Sequence, residues 1–396
     1  MEKFIGIATE NKVVIPQLTE TEDSWRISST LDVTYNVKIH DNFFESSDLE
    51  FLLNKEKSSE VTQFIVIDEN VDQLHGERIR LAFEKANIPF KVFCMKVSED
   101  LKLLDGALQI VDQLESNGVL RRSNPFIAIG GGVLLDIAGF AASLYRRGVP
   151  YIRIPTNLMA LIDASLGVKT AVNYAGRRNR LGTYHPPAEA ILDRSFLTTV
   201  DDRDISNGLG EVLKLAVIKD AHLFNLLENH GQTLCETKLQ DDVCAQEVIY
   251  RSVHGMLEEL APNLWETELE RCVDFGHSFS PLVEMRALPE LLHGEAVALD
   301  VVLSCYLAAH RGLISVDELN RVRNTAQNLG LALWHTGFDD FETVWESLQD
   351  ATRHRDGKQR LPLPSGLGDY CFVNDVTQAE LKRALTAMKQ AGAQNV

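Results

Sequence analysis

Apolar and polar positions alternate with two different periods along this chain, and the dominant period changes near residue 195. Before that point, short apolar runs bounded by turns predict buried strands at 63–68, 90–95, 126–129 and 151–154. Segments with helical spacing lie between these runs, at 76–87, 100–117 and 133–146. Strands that alternate with helices predict a mostly parallel, Rossmann-like sheet with both faces covered.

The first 39 residues and the part of the chain beyond residue 195 have different hydrophobic patterns. Residues 1–20 have no clear period and are expected to form an arm, whereas 25–39 alternate and predict one extended strand. Beyond 195, strand signals are few and long amphipathic segments dominate, at 205–230, 240–261, 277–288, 293–312 and 316–329. The pattern predicts an α/β domain over 1–195 and an all-α domain over 196–396.

The amino-acid composition argues against two classes of binding partner, nucleic acids and membranes. The 396 residues carry a formal net charge of −18, which argues against binding to nucleic acid or to an anionic membrane. The longest apolar stretch, 126–144, is interrupted by glycines and Asp136, so it does not predict a membrane span. The six cysteines are scattered without a Cys-x-x-Cys pair, which favours reduced thiols and a cytoplasmic location.

Three consecutive glycines join a predicted strand to a predicted helix. Gly130, Gly131 and Gly132 would let backbone N–H groups approach a pyrophosphate at the helix N-terminus. The Gly-x-Gly-x-x-Gly pattern is absent, so a tight turn without a ligand stays open. Asp136 lies one helical turn further on, and Asp68 and Asn70 end an earlier strand, where side chains face the ligand crevice of a parallel sheet.

Cations concentrate between residues 146 and 180 of this acidic chain. Arg147, Lys169 and the run Arg177–Arg180 could hold a phosphate, although a solvated loop is the alternative for any single arginine. Lys169 lies in an apolar, glycine-bearing segment, where a buried charge would require a partner.

Glu211, His277 and His293 have the ligand types of an open catalytic zinc site. Each histidine is bordered by glycine at the apparent start of a helix. By themselves the two histidines leave a structural role open.

Several motifs together resemble the sugar phosphate cyclases, the superfamily of dehydroquinate synthase, over about residues 60 to 365. They are the three glycines with Asp136, Gly139 and Phe140, then Arg147-Gly148, then Ile154-Pro155-Thr156. They continue with the segments Asp163–Asn173, Glu211–Lys214, Gly276–Phe279 and His293–Val297.

The resemblance implies the ligands and their residues. It implies Zn²⁺, with Co²⁺ as the alternative ion, at Glu211, His277 and His293. It implies NAD⁺ at Asp68, Glu99, Lys102, Gly130, Gly131, Gly132 and Asp136, and Asn70 is a further candidate from its place at a strand end. It implies catalytic roles for Asp163, Lys169, Lys214 and Asp274, and substrate contacts at Arg147, Arg178 and Asn179, with Arg147 reaching a neighbouring subunit of a homodimer.

Departures from the dehydroquinate synthase pattern point to one branch of the superfamily. Met256 and Glu270 stand where that pattern has a lysine and an arginine for a substrate carboxylate, and Pro281 replaces a histidine. Leu260, Asp274 and His354 resemble residues of the 2-epi-5-epi-valiolone synthases, which close sedoheptulose 7-phosphate. The resemblance thus implies transient oxidation by NAD⁺, phosphate elimination, reduction and aldol closure.

Other functions remain open from the sequence. Within the superfamily they are desmethyl-4-deoxygadusol synthase, 2-epi-valiolone synthase and 3-dehydroquinate synthase. A metal-dependent polyol dehydrogenase would share the architecture without requiring the cation cluster. A scaffold protein that only binds NAD⁺ would require neither the metal ligands nor Lys169.

Overall fold

The computed structural model describes residues 17–21, 23–29, 31–46, 49, 62–240 and 243–392, so most of the expected N-terminal arm lies outside the described residues. The chain divides into two compact units between Tyr35 and Asn36. The first unit contains an antiparallel hairpin of β1 (Gln17–Thr21) and β2 (Ser24–Ser28). The prediction of one strand over 25–39 is wrong, because residues 31–35 separate β2 from the next strand and have no regular structure. Alternation of apolar and polar residues therefore does not by itself establish a continuous strand, and the apolar Trp25 and Ile27 are exposed in the structure.

The second unit contains the remaining described strands and all described α-helices. The strands are β3 (Asn36–Ile39), β4 (Gln63–Asp68), β5 (Phe90–Met95), β6 (Phe126–Gly130), β7 (Tyr151–Pro155), β8 (Lys169–Tyr174), β9 (Arg177–Tyr184), β10 (Glu189–Leu192), β11 (Leu361–Pro364) and β12 (Tyr370–Val373). The helices are α1 (Glu69–Lys85), α2 (Leu104–Ser116), α3 (Gly132–Leu144), α4 (Asp202–Ile218), α5 (Ala221–Glu236), α6 (Cys244–Leu260), α7 (Pro281–Arg286), α8 (His293–His310), α9 (Val316–Asn328), α10 (Phe341–His354) and α11 (Gln378–Gly392).

A six-stranded sheet in the order β3-β10-β7-β6-β4-β5 forms the centre of the α/β part, and every pairing in it is parallel. Because side chains alternate across a strand, Phe64 and Val66 of β4 enter one core with α2 and α3. Ile65 and Ile67 enter the opposite core with α1. The predicted parallel sheet, covered on both faces, is confirmed.

The part after residue 195 is helical apart from the β11–β12 hairpin, and one large apolar core unites its helices. The amphipathic segment predicted over 205–230 is two helices, because Asp220 accepts hydrogen bonds from the backbone N–H groups of His222 and Leu223 and starts α5. Both parts lie within the second unit, so a domain boundary at 195 stays a prediction. In the described part of the chain, no helix combines the length and apolar character that crossing a bilayer requires.

Candidate metal and coenzyme site

Two glycines allow α4 and α8 to touch through their backbones. A Cβ atom on Gly210 would lie 2.2 Å from the carbonyl oxygen of Gly294, and one on Gly294 would lie 1.8 Å from that of Asn207. The Asn207 side-chain oxygen also accepts a hydrogen bond of 2.7 Å from the Gly294 N–H at the start of α8. This close approach brings Glu211 of α4 next to His293, the first residue of α8.

A buried carboxylate holds the loop that carries His277. Asp300 of α8 has no exposed surface, and its Oδ2 accepts three backbone hydrogen bonds of 2.6–3.0 Å from Ser278, Phe279 and Ser280. The Nδ1 of His277 lies 3.1 Å from the carbonyl oxygen of Phe275. These contacts turn the Nε2 of His277 towards Glu211.

The three predicted metal ligands converge. Ligand atoms of Glu211, His277 and His293 all lie within 4.8 Å of one another, and Glu211 Oε1 is 3.5 Å and 3.4 Å from the two Nε2 atoms. Zinc bonds of about 2.0–2.1 Å place the ligands of a tetrahedral site about 3.3 Å apart. Both Glu211 oxygens are buried; Oε2 forms an ion pair with Lys214, whereas Oε1 faces the two histidines and accepts no well-formed hydrogen bond from the described residues. The donor set therefore fits a divalent cation such as Zn²⁺.

Charges around the triad favour an ionised Glu211. Burial opposes its ionisation, but Lys214, whose Nζ lies 2.6 Å from Oε2, and the two histidines hold the pKa of Glu211 well below its usual value. Burial likewise opposes a charge on Lys214, but Glu211 and Asp163 raise the pKa of its ammonium. Lys214 is only 2% exposed and thus forms part of the wall of the site.

The histidines differ in their outer contacts. Both rings are partly exposed to the cleft, yet loss of hydration on their other sides lowers the pKa of His277 to about 4. For His293 the same loss is outweighed by Glu284 and Glu211, which raise its pKa to about 9. Glu284 Oε2 lies 3.0 Å from His293 Nδ1 and fixes the ring.

Arg178 is predicted from the sequence to contact substrate, but its guanidinium is directed at protein carboxylates. Its Nε donates to Glu99 Oε1 at 3.1 Å, and its Nη1 pairs with Glu284 and lies 3.2 Å from His293 Nδ1. The side chain links the metal ligand His293 to Glu99 and has no direct role in the cleft in this arrangement.

The glycine turn has the geometry predicted for a coenzyme site. Gly131 is the N-cap of α3 and supplies no side-chain cap, so the first N–H groups of this helix have no side-chain acceptor. Asp68 ends the neighbouring strand β4, and its carboxylate accepts a hydrogen bond of 2.8 Å from the Asn70 N–H. The two strand ends are close, because a Cβ atom on Gly130 would lie 3.3 Å from the Cβ of Asp68. Asn70 itself is exposed. The turn fits a pyrophosphate.

The other predicted coenzyme residues form a connected polar cluster. Lys102 is 3% exposed, and its Nζ donates to Asp136 Oδ2 at 2.6 Å and to Asn179 Oδ1 at 2.7 Å. Glu99 accepts from the Asn173 side chain at 2.9 Å. Asn179, predicted to contact substrate, is thereby joined to the predicted coenzyme residues.

Lys169 has the partner expected for it but not the burial. Its side chain is 59% exposed and its Nζ lies 2.8 Å from Glu266 Oε1. The segment that precedes it is fixed by Arg153, a fully buried residue of β7 that donates to the carbonyl oxygens of Ala164, Gly167 and Lys169. Asp163 lies in the same segment, where burial raises its pKa and Lys214 and Lys169 oppose that rise.

Asp274 lies in a group of arginines. Its Oδ2 accepts from Arg355 Nε at 3.2 Å, and its Oδ1 accepts from Arg271 Nη2. His354, predicted to contact substrate, is exposed, and the neighbouring Arg355 is buried and reaches Asp274 instead. The sequence missed Arg355 because one step along a helix rotates a side chain by about 100°.

Four further positions singled out from the sequence have different outcomes. Leu260 packs beside Gly167, where a Cβ would lie 3.6 Å from it, so it borders the Lys169 segment. Arg147 is exposed and forms no ion pair with a described residue; its role across a subunit interface stays a prediction. Met256 is buried in the helical core and Glu270 is exposed, and no contact of either with the metal triad or with Asp274 is found among the described residues.

Sequence reasoning also missed the residues that support the site. These are mainly buried charges in apolar elements: Arg153 in a strand, Asp300 in the middle of α8, and Glu284 near the start of α7. A lone charge within an apolar run is the available signal, since burial requires a partner.

Comparisons with known proteins agree with this geometry. Residues 92–207 match the 3-dehydroquinate synthase N-terminal family, and residues 208–354 match the 3-dehydroquinate synthase C-terminal family. The chain is 47% identical to the 2-epi-5-epi-valiolone synthase of Streptomyces albus over 93% of this chain and 91% of that protein. It is 36% identical to the demethyl-4-deoxygadusol synthase of Trichormus variabilis over 82% of this chain and 80% of that protein.

A solved structure is similar over nearly the full chain. It is ValA, the 2-epi-5-epi-valiolone synthase of Streptomyces hygroscopicus subsp. jinggangensis 5008, with NAD⁺ and Zn²⁺ bound. The TM-score is 0.89 at 46% identity, and the match covers 93% of this chain and 100% of ValA.

Proposed function

The chain belongs to the 3-dehydroquinate synthase family, and we propose that it closes sedoheptulose 7-phosphate to 2-epi-5-epi-valiolone with release of phosphate. The observation that carries this proposal is the 47% identity to a synthase of that name over 93% of the chain. The convergence of Glu211, His277 and His293 supports it, because this reaction requires a metal-assisted redox step.

The proposed ligands are NAD⁺ at the glycine turn and Zn²⁺ at the triad. When bound, the coenzyme accepts and later returns one hydride, and the metal polarises the oxygen of the alcohol being oxidised. The glycine turn lies close to the segment that carries Asp163. A Cβ atom on Gly132 would lie 3.4 Å from the Cβ of Ala164, the residue that follows Asp163.

The side chains around the triad would bind and orient the substrate. Lys214 and Asp163 lie beside Glu211 and would hold hydroxyl groups near the metal. Lys169, exposed and paired with Glu266, would exchange that partner for the substrate phosphate. Asp274 would accept hydrogen bonds from substrate hydroxyls. We further propose a cytoplasmic homodimer in which Arg147 reaches the neighbouring subunit.

Coenzyme recycling tests this function against the polyol dehydrogenase alternative. With sedoheptulose 7-phosphate and NAD⁺, we expect phosphate release to continue for many turnovers without net NADH, because the hydride returns to the intermediate. Phosphate and NADH absorbance are to be followed in the same sample. An NADH signal that rises in step with substrate consumption would support the dehydrogenase instead.

A further inference from the structure

Two arginines lie on either side of one buried carboxylate in the cleft. Arg271 Nη2 donates to Asp274 Oδ1, and Arg355 Nε donates to Asp274 Oδ2 at 3.2 Å. Asp274 is 8% exposed and Arg355 is 3% exposed. Burial opposes ionisation of Asp274, but the two guanidinium groups hold its pKa below the usual value. Two cations on opposite oxygens form the arrangement that proteins use to bind a free carboxylate.

The remaining donors of these arginines are mostly occupied. Arg271 Nη1 pairs with Glu266, and both Nη atoms of Arg355 donate to Ser278 Oγ at 3.1 Å. Arg355 Nη1 also donates to the carbonyl oxygen of Gln359 at 2.8 Å. Arg271 Nε, however, is buried and has no hydrogen-bond partner among the described residues. The two arginines are thus held in place by their surroundings, and the Arg271 Nε–H can still donate one hydrogen bond.

We propose that Arg271 and Arg355 form a carboxylate-binding site that the protein fills with its own Asp274. The site adjoins the metal ligands and Lys169, because the His277 N–H donates to the Asp274 carbonyl oxygen at 3.1 Å and Glu266 pairs with both Arg271 and Lys169. A substrate with a carboxylate at this end of the molecule finds both guanidinium groups taken. A substrate with a hydroxyl there finds a carboxylate that accepts its hydrogen bond.

This inference assigns substrate selectivity to specific residues and rests on the proposed function for its substrate. The binding site itself does not depend on that function. Removing the side chain of Asp274 should leave a space of carboxylate size between two cations, which a small anion such as formate can enter. Binding and selectivity can therefore be measured separately.

The first experiment uses Asp274→Ala with sodium formate as the probe and sodium chloride at equal ionic strength as the control. We expect about 0.1 M formate to raise the melting temperature of the variant by about 1–3 °C relative to chloride. Formate should not affect the unsubstituted protein in this way. Equal responses to formate and chloride in Asp274→Ala would overturn the proposed site.

Two further variants test whether the formate response requires the two-arginine site or arises at any arginine that has lost its carboxylate partner. Asp41 pairs with one buried arginine instead of two: its Oδ2 accepts from Arg194 Nε and Nη2 at 2.8 and 2.6 Å, and Arg194 is 5% exposed. Asp41→Ala leaves a single unpaired guanidinium, so it should respond to formate less than Asp274→Ala does and keep its substrate preference. An equal response in the two variants would attribute the effect to any unpaired arginine and overturn the two-arginine site. Adding Arg271→Met to Asp274→Ala should remove most of the formate response. If Asp274→Ala does not fold, Asp274→Asn weakens both pairings with little change in volume, and Glu266→Gln releases Arg271 alone.

The second experiment measures the preference between sedoheptulose 7-phosphate and 3-deoxy-arabino-heptulosonate 7-phosphate as ligands. In Asp274→Asn we expect the affinity for the carboxylated sugar, relative to the other, to rise about ten- to hundredfold over the unsubstituted protein. An unchanged ratio in both Asp274→Asn and Glu266→Gln would overturn the selectivity role. If neither sugar phosphate binds any form while formate still protects Asp274→Ala, the proposed function fails and the carboxylate site stands.

Discussion

His277→Ala is expected to abolish bound metal and turnover together. The substitution leaves Glu211 and His293 as the only members of the triad, and two ligands do not hold a catalytic zinc ion. Without the metal, the substrate alcohol is not polarised, so we expect activity below about one-thousandth of the original. Metal content by elemental analysis and turnover of sedoheptulose 7-phosphate are the two measurements.

A matched histidine and a weaker variant make this test specific. His222→Ala removes an exposed histidine that pairs with Glu247, and it should leave metal content and turnover unchanged. Glu284→Gln removes the charge that fixes His293 through Nδ1 and should weaken metal binding about ten- to hundredfold without abolishing it. Full metal occupancy in His277→Ala would contradict the assignment of the triad.

Strong selection against a carboxylated substrate is the second large effect that we expect. The protein should convert sedoheptulose 7-phosphate and leave 3-deoxy-arabino-heptulosonate 7-phosphate almost unconverted. Asp274 occupies the facing donors of Arg271 and Arg355, so a substrate carboxylate placed there would lose its hydration without gaining a cationic partner. Leaving such a charged group unpaired costs about 3 kcal/mol, so we expect a preference of at least about a hundredfold in kcat/KM.

Parallel assays of the two heptulose phosphates measure this preference. Phosphate release gives kcat/KM for each sugar under the same metal and coenzyme concentrations. Comparable values for the two sugars would remove the basis for placing the chain in the sedoheptulose branch, whatever the metal result.

Three strands of the central sheet, β4, β6 and β7, were predictable because they are largely apolar runs, whereas β3 and β10 were not predicted as separate strands. β4, β6 and β7 are buried on both faces, so composition alone separates them from the surrounding chain. The β8–β9 hairpin was not predictable in this way, since it is outside the main sheet and β9 carries exposed polar residues along most of its length. The start of α1 was missed because its first turn is polar, and only the structure shows Asp68 as its N-cap.

The metal triad was predictable from ligand type and glycine context, but the surrounding charges were not. Which of two neighbouring residues enters a cleft depends on the backbone at that point, and no period in the sequence reports it. Glu270 and Arg271 are adjacent, yet the first is exposed and the second pairs with Asp274. The expected exclusion of carboxylates is kept, but its physical reason moves from Met256 and Glu270 to the pairing of Asp274 with two arginines.

The most direct test of the central claim is the identity of the cyclised product. The protein is to be incubated with sedoheptulose 7-phosphate, NAD⁺ and Zn²⁺, and the product is to be identified by NMR. We predict 2-epi-5-epi-valiolone as the main product, with one phosphate released per molecule formed. Desmethyl-4-deoxygadusol as the main product, recognisable by its ultraviolet absorbance, would contradict the account.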